Sequence, residues 1–139
     1  MQIDTSTDFG ARVTRRLTND TVAWLTTVGP DGTPQPSPIW FYWDGDSILI
    51  YSQPNKPKLR HIAANPHVSF NLDGDGHGGD IIVMTGEASV DNTAPPAHQH
   101  PEYAAKYTRG FRAISMTPEA FAQAYSVPIR LVPARLRGH

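Results

Sequence analysis

The sequence predicts an α+β domain, mainly antiparallel β, with six short strands closed into a barrel and short helices on its flanks. Two observations carry that expectation. Among 139 residues there are 13 prolines and 11 glycines, a density of breakers that helix bundles do not tolerate and strands joined by turns do. Between the breakers lie short runs rich in β-branched and aromatic residues. Closure follows from a physical preference: six strands in an open sheet would expose two edges, and a barrel removes them. The length suits one domain over residues 1–139. It divides into an N-terminal helix within 1–20, barrel strands within 21–90, a helical segment at 91–126, and a closing strand and tail at 127–139.

The elements follow in order. Phe9, Val13 and Leu17 recur every four residues, which predicts an amphipathic helix over 7–19 ended by Asn19 and Asp20. Residues 21–28 are a strand, Gly29-Pro30-Asp31-Gly32 a turn, and residues 33–43 a second strand. A tight Asp44-Gly45-Asp46 turn leads to a third strand at 47–52. Pro57 stands where a helix favours its first residue, and Leu59, Ile62 and Ala63 give that helix an apolar face ending near Asn65-Pro66. Val68 and Phe70 alternate with polar neighbours in a fourth strand. Residues 80–90 make a fifth, with Gly86 marking a bulge. Helices are expected over 101–107 and 118–125, each opening near a proline, and a sixth strand runs over 127–136.

Composition excludes several classes. With 12 Lys and Arg against 13 Asp and Glu the formal net charge is -1, so the chain lacks the basic surplus of a general nucleic-acid binder. Apolar residues at 39% supply a core and argue against disorder. No cysteine occurs, so disulfides, thiolate metal sites and cysteine nucleophiles are out together. No apolar run approaches the ~20 residues of a membrane span, and residues 1–9 lack the apolar centre of a signal peptide. The expectation is a cytoplasmic protein with no membrane and no nucleic-acid partner.

Two segments stand out. In Pro34-Gln35-Pro36-Ser37-Pro38, every second residue lacks an N–H. An extended chain points alternate N–H groups to the same side, so one edge of this strand is stripped of donors while Gln35, Ser37 and Ile39 keep theirs on the other. The strand is either a protected sheet edge or lies beside a bound ligand. Trp40, Phe41, Tyr42 and Trp43 follow, placing large aromatics on both faces. One pair enters the core, and the other is expected to meet a partner subunit or a ring-shaped ligand.

The second segment is the basic turn Ser52-Gln53-Pro54-Asn55-Lys56-Pro57-Lys58-Leu59-Arg60. Lys56, Lys58 and Arg60 fall at the start of the second helix, where the helix dipole disfavours cations. A bound phosphate would reverse that sign by accepting from the helix N–H groups and the cations together, with Ser52 and Asn55 as neutral donors nearby. A solvated basic turn is the plainer alternative. A phosphate at one end and a flat surface beside the proline strand describe a flavin-like cofactor.

The run from Val22 to Leu72 resembles the pyridoxamine-phosphate-oxidase-like split β-barrel superfamily. The resemblance rests on residues 22–28, the Gly-Pro-Asp-Gly turn, Pro36-Ser37-Pro38-Ile39-Trp40-Phe41, Ile50-Tyr51-Ser52, Lys56-Pro57-Lys58-Leu59-Arg60 and Asn65-Pro66-His67-Val68. The strand Pro128 to Pro133 is similar to that superfamily's closing strand. Within it, Pro-Ser-Pro-Ile-Trp and Lys-Leu-Arg-His-Ile look most like the branch that uses the deazaflavin coenzyme F420. The resemblance implies a split β-barrel of the FMN-binding type and a homodimer, each cofactor lying in a cleft between subunits. It further implies F420-dependent hydride transfer to or from a small organic substrate. Lys56, Lys58 and Arg60 would take the phosphate end with Ser52 beside them. Ser37, Pro38, Ile39 and Trp40 would line the ring through backbone contacts. FMN in place of F420, or a non-catalytic module holding a flavin or haem, are the alternatives.

Other candidates are weaker. Asp73-Gly74-Asp75-Gly76-His77 resembles a calcium loop, but Met84 stands where an EF-hand needs Glu, and a flexible turn is the simpler reading. His98 and His100 have no third ligand in matching spacing. Arg130, Arg135 and Arg137 form a basic tail that would either reach a polyglutamate extension of the cofactor or be solvated. No catalytic acid or base is evident; Tyr42, Tyr51 and His77 are candidate proton donors.

Overall fold

The computed structural model describes all 139 residues. Seven antiparallel strands form one curled sheet in the order β2-β1-β5-β6-β7-β4-β3. They are β1 Ala23–Val28, β2 Pro34–Ile39, β3 Tyr42–Trp43, β4 Ile48–Ser52, β5 His67–Asn71, β6 Ile82–Val90 and β7 Val127–Gly138. The helices are α1 Asp8–Asn19, α2 Pro57–Ala64, α3 Pro101–Lys106, α4 Thr108–Ala113 and α5 Pro118–Ala124, with a 3₁₀ turn at Ala97–Gln99. This is a split barrel flanked by short helices. No helix is long and apolar enough to cross a membrane.

Helix α1 forms as its periodicity requires. The Thr7 hydroxyl accepts from the Gly10 N–H at 3.0 Å and caps the start, and Val13 and Leu17 are fully buried. They join the barrel core with Leu25, Phe41, Ile48, Ile50, Phe70 and Ile129. Residues Ile48 to Ser52 of β4 are buried on both faces. Ile48 and Ile50 point into the barrel, whereas Leu49 and Tyr51 enter a second cluster with Tyr103, Tyr107, Phe111 and Phe121. The strand is buried throughout because two cores meet across it.

The expected strand over 33–43 is broken at Trp40 and Phe41, which raises the strand count to seven. The cause lies far along the chain. The Phe41 N–H donates to the Tyr107 hydroxyl at 2.7 Å, and the Phe41 carbonyl accepts from Tyr107 at 2.9 Å and from Lys106 Nζ at 2.9 Å. Phe41 therefore spends its polar backbone on the last residue of α3 and on Tyr107, which joins α3 to α4, rather than on a ladder. Since β2 and β3 stand at opposite ends of the sheet order, the barrel is not closed by hydrogen bonds at this seam. A two-residue link joins its ends. One pair of the four aromatics enters the core as expected, and the other meets helices of the same chain, with Trp40 also lining the cleft described below. Phe41 and Trp43 face the barrel core, while Trp40 and Tyr42 pack on the helical cluster of the same chain.

The Lys106 ammonium lies 3.8 Å above the Phe41 ring, and burial pushes it down to about 8 from an ordinary 10.5. Between those pH values the unfolded chain holds the extra proton, so raising the pH through this window favours the fold. Urea midpoints for wild type relative to Lys106→Met are expected to rise from pH 7.5 to pH 10.5. Parallel curves would mean that the ammonium is solvated after all.

Helix α4 was not expected from the sequence. The Asp80 strand start moves to Ile82, and the bulge at Gly86 is present, as a register shift between Thr85 and Gly86 against β7.

Candidate functional site

One cleft of about 790 Å³ runs between the proline strand and the start of α2, with a wall supplied by the helical segment. β2 is indeed an edge, paired only with β1, with Gln35, Ser37 and Ile39 opposite Thr27, Leu25 and Ala23. Those three residues hold the only N–H groups available to the ladder. Pro34, Pro36 and Pro38 therefore turn carbonyl oxygens, and no donors, to the free edge. The cleft runs along that edge from Gln35 to Trp40.

Opposite stands the turn from β4 into α2. Asn55 takes a left-handed conformation, φ 64°, which reverses the chain into the helix. Lys56 is the N-cap residue; it makes no side-chain cap, and no acid stands in the first turn. Lys56 and Lys58 both line the cleft, and neither is in any of the seven ion pairs of the chain. Burial holds the Lys58 ammonium below its ordinary range, and the neighbouring Lys56 charge lowers it further. No Asp or Glu lines the cleft. Two cations face the cavity with no protein anion to answer them, which is the electrostatic signature of an anion site.

Seven of the eight residues expected at the site converge on this cleft: Ser37, Pro38, Ile39, Trp40, Ser52, Lys56 and Lys58. Arg60 does not. It is exposed, because two residues along an α-helix is about 200° around its axis, so Arg60 leaves the face that Lys58 presents. His61, three residues beyond Lys58, returns to that face and lines the cleft, with Nδ1 paired to the Thr27 hydroxyl at 2.8 Å. The i,i+3 spacing carried this signal. Ser52 is buried and donates its hydroxyl to the Gln53 carbonyl at 2.8 Å, so it keeps only acceptor capacity. Asn55 stays outside the lining.

The floor and far wall come from aromatics. Trp40 stacks between Tyr107 (4.6 Å, 5°) and Phe121 (5.3 Å, 16°), and Phe121 stacks on Tyr125 (4.4 Å, 11°). A Cβ on Gly110 would come within 2.8 Å of the Trp40 ring, so a glycine is needed for the indole to lie flat there.

The remaining candidates are engaged by the protein itself, Tyr51 even though it lines the cleft. Tyr51 donates to the Pro95 carbonyl at 2.6 Å, and burial pushes its hydroxyl up to about 12. Tyr42 packs on His100 at 5.0 Å, and neither it nor His77 lines the cleft. His100 Nδ1 caps α3 by accepting from the Tyr103 N–H. Asp75 accepts from the N–H groups of His77 and Gly79, an Asx-type loop closed on its own backbone. Arg130 is no solvated tail residue: it pairs with Asp91 at 3.1 Å and Asp44 at 3.3 Å.

A split barrel with a basic-ended cleft along its proline-guarded edge is the class that fold and site define. The chain matches the pyridoxamine 5'-phosphate oxidase family model over residues 9–125 and belongs to that family. Among solved structures it is similar to a conserved hypothetical protein from Mycobacterium tuberculosis, with 23% identity, TM-score 0.70, and coverage of 91% of this chain and 81% of that one. It is also similar to an F420 reductase, with 25% identity, TM-score 0.64, and coverage of 88% and 94%. A haem-storage protein from Vibrio cholerae shares the fold at 14% identity and TM-score 0.64, with coverage of 99% and 95%. No curated protein matches the chain.

Proposed function

We propose that this protein is an F420-dependent oxidoreductase, working as a homodimer in the cytoplasm, that transfers hydride between the deazaflavin and a small organic substrate. The observation that supports it most is the pair of unanswered lysines, Lys56 and Lys58, in the same cleft as the acceptor-only edge of β2. The lysines would hold the phosphate. The backbone from Ser37 to Trp40 would lie along the ring, and its carbonyls suit a heterocycle that carries N–H groups. When bound, the deazaflavin supplies the hydride chemistry, and the chain supplies binding and orientation. The cleft volume is of the size that holds a small-molecule ligand.

Titration with F420 and with FMN, followed by fluorescence polarisation, tests the reading. Saturable binding of F420 alone supports it, and binding of FMN alone replaces it with the flavin alternative. Lys58→Ala is expected to weaken the cofactor about tenfold, equivalent to roughly 1.5 kcal/mol for one charge-assisted contact. An unchanged affinity removes the phosphate site. A bound, reduced cofactor that no acceptor in a broad panel reoxidises would instead indicate a carrier, and haem is the ligand to try next.

A further inference from the structure

We propose that Lys106 is a modification site, acylated at Nζ by activated acyl donors such as acyl phosphates and thioesters, because the fold holds its amine against a carbonyl and two aromatic rings with no carboxylate to pair it. The inference does not depend on which cofactor the cleft takes, or on whether it takes one.

The chain has three lysines, and they are held differently. Lys56 is exposed at the head of α2, and Lys58 is half-buried in the cleft. Lys106, the last residue of α3, is partly buried beside the link between β2 and β3. Its Nζ donates to the Phe41 carbonyl at 2.9 Å and lies 3.8 Å from the centroid of the Phe41 ring and 5.4 Å from that of Tyr107. It joins none of the ion pairs of the chain. Asp20 is the carboxylate whose charge reaches it, and that carboxylate is already paired with Arg16. The Tyr107 hydroxyl, the other titratable group of the cluster, serves the Thr21 and Phe41 carbonyls, and burial pushes it up, so it stays neutral. An ammonium here exchanges water for ring faces and one carbonyl, which favours the neutral amine. Burial accordingly takes Lys106 down to about 8 against the weak opposing pull of Asp20. The neutral amine keeps a lone pair for attack while one N–H stays on the Phe41 carbonyl.

The same contact selects the chemistry. The lone pair attacks the carbonyl carbon of the donor and forms a C–N bond. The bond from that carbon to the phosphate oxygen, or to the thioester sulfur, breaks, the leaving group takes the electron pair, and the amine gives up one proton to solvent. The product amide is uncharged and keeps one N–H, which is the donor that the Phe41 carbonyl uses. A neutral imine formed with an aldehyde would carry no N–H, and a carbamate would set an anion beside that carbonyl oxygen. Acylation removes the half-buried charge and leaves the backbone contact satisfied. It does so one residue away from Trp40, which lines the cleft.

The three lysines give the test its internal reference. Full-length protein is incubated at pH 7.5 with acetyl phosphate in one arm and acetyl-coenzyme A in the other. It is then unfolded, its unreacted amines are capped with deuterated acetic anhydride, and the acetylation rate at each lysine is read by peptide mass spectrometry. Lys106 is expected to react at least about fivefold faster than exposed Lys56, because more of it is unprotonated at this pH. The rate at Lys106 should level off above about pH 8.5, and its advantage should vanish in urea. Labelling by either donor supports the proposal, and the arm that labels identifies the donor class. A Lys106 rate no greater than that of Lys56 in both arms, a preference that survives in urea, or a rate that climbs in step with Lys56 up to pH 10 overturns it.

Discussion

Gly86→Ala is expected to cost about 3 kcal/mol of stability, the upper end for overpacking and a large part of the 5–15 kcal/mol typical of a whole domain. Gly86 sits in β6, opposite Val68 of β5 on one side and Pro133 of β7 on the other, at the register shift of the longest strand pair. A Cβ there would stand 2.1 Å from the Val132 carbonyl oxygen and 2.8 Å from the Pro133 Cα. Both obstacles are backbone held in a ladder, so neither can swing aside as a side-chain tip could. The strands must part or the bulge must move, and moving it by one residue would turn the side chains of β7 to the wrong face. Urea denaturation measures the cost, and a loss under 1 kcal/mol would show that β7 yields locally.

Tyr107→Phe comes next, at about 2–3 kcal/mol. The ring stays, and with it the stack on Trp40. Only the oxygen goes, leaving the Phe41 N–H without its acceptor and the Thr21 and Phe41 carbonyls without the one hydroxyl proton they share. A buried N–H stripped of its partner costs the full desolvation penalty, which exceeds the net gain of an ordinary hydrogen bond. Because Lys106 donates to the same Phe41 carbonyl, Tyr107→Phe and Lys106→Met should not be additive in a double-mutant cycle. Additive losses would show that the two groups act on Phe41 independently. The same oxygen secures the residue next to Trp40, so the near-UV circular dichroism of Trp40 should change in Tyr107→Phe as well.

Much of the frame was legible because its causes are local. The four-residue spacing of Phe9, Val13 and Leu17, the guarded edge at Pro34 to Pro38, the bulge at Gly86 and the lysines at the head of α2 each follow from neighbours in sequence. What was not legible depends on distant partners. The break at Trp40 and Phe41 is made by groups 65 and 66 residues away. Helices of six or seven residues are too short to establish a period, so the second core they form stayed hidden. With it stayed Phe121, Tyr125 and Ile114 at the cleft. Closure of the barrel was overestimated because counting strands cannot reveal that the two end strands are adjacent in sequence yet unpaired. Arg60 illustrates the finest grain: charge placed it with Lys58, and helical geometry separated them.

The donor-free edge of β2 also decides how occupancy of the cleft can be observed. Along Pro34, Pro36 and Pro38 there are no amide protons to exchange or to shift, and those of Gln35, Ser37 and Ile39 face β1. An amide-detected NMR titration, or a hydrogen-exchange footprint, will be nearly blind along the strand that borders the ligand. Carbonyl ¹³C resonances of the three prolines are the reporters to follow, since a ligand N–H that approaches this edge has only those oxygens to meet.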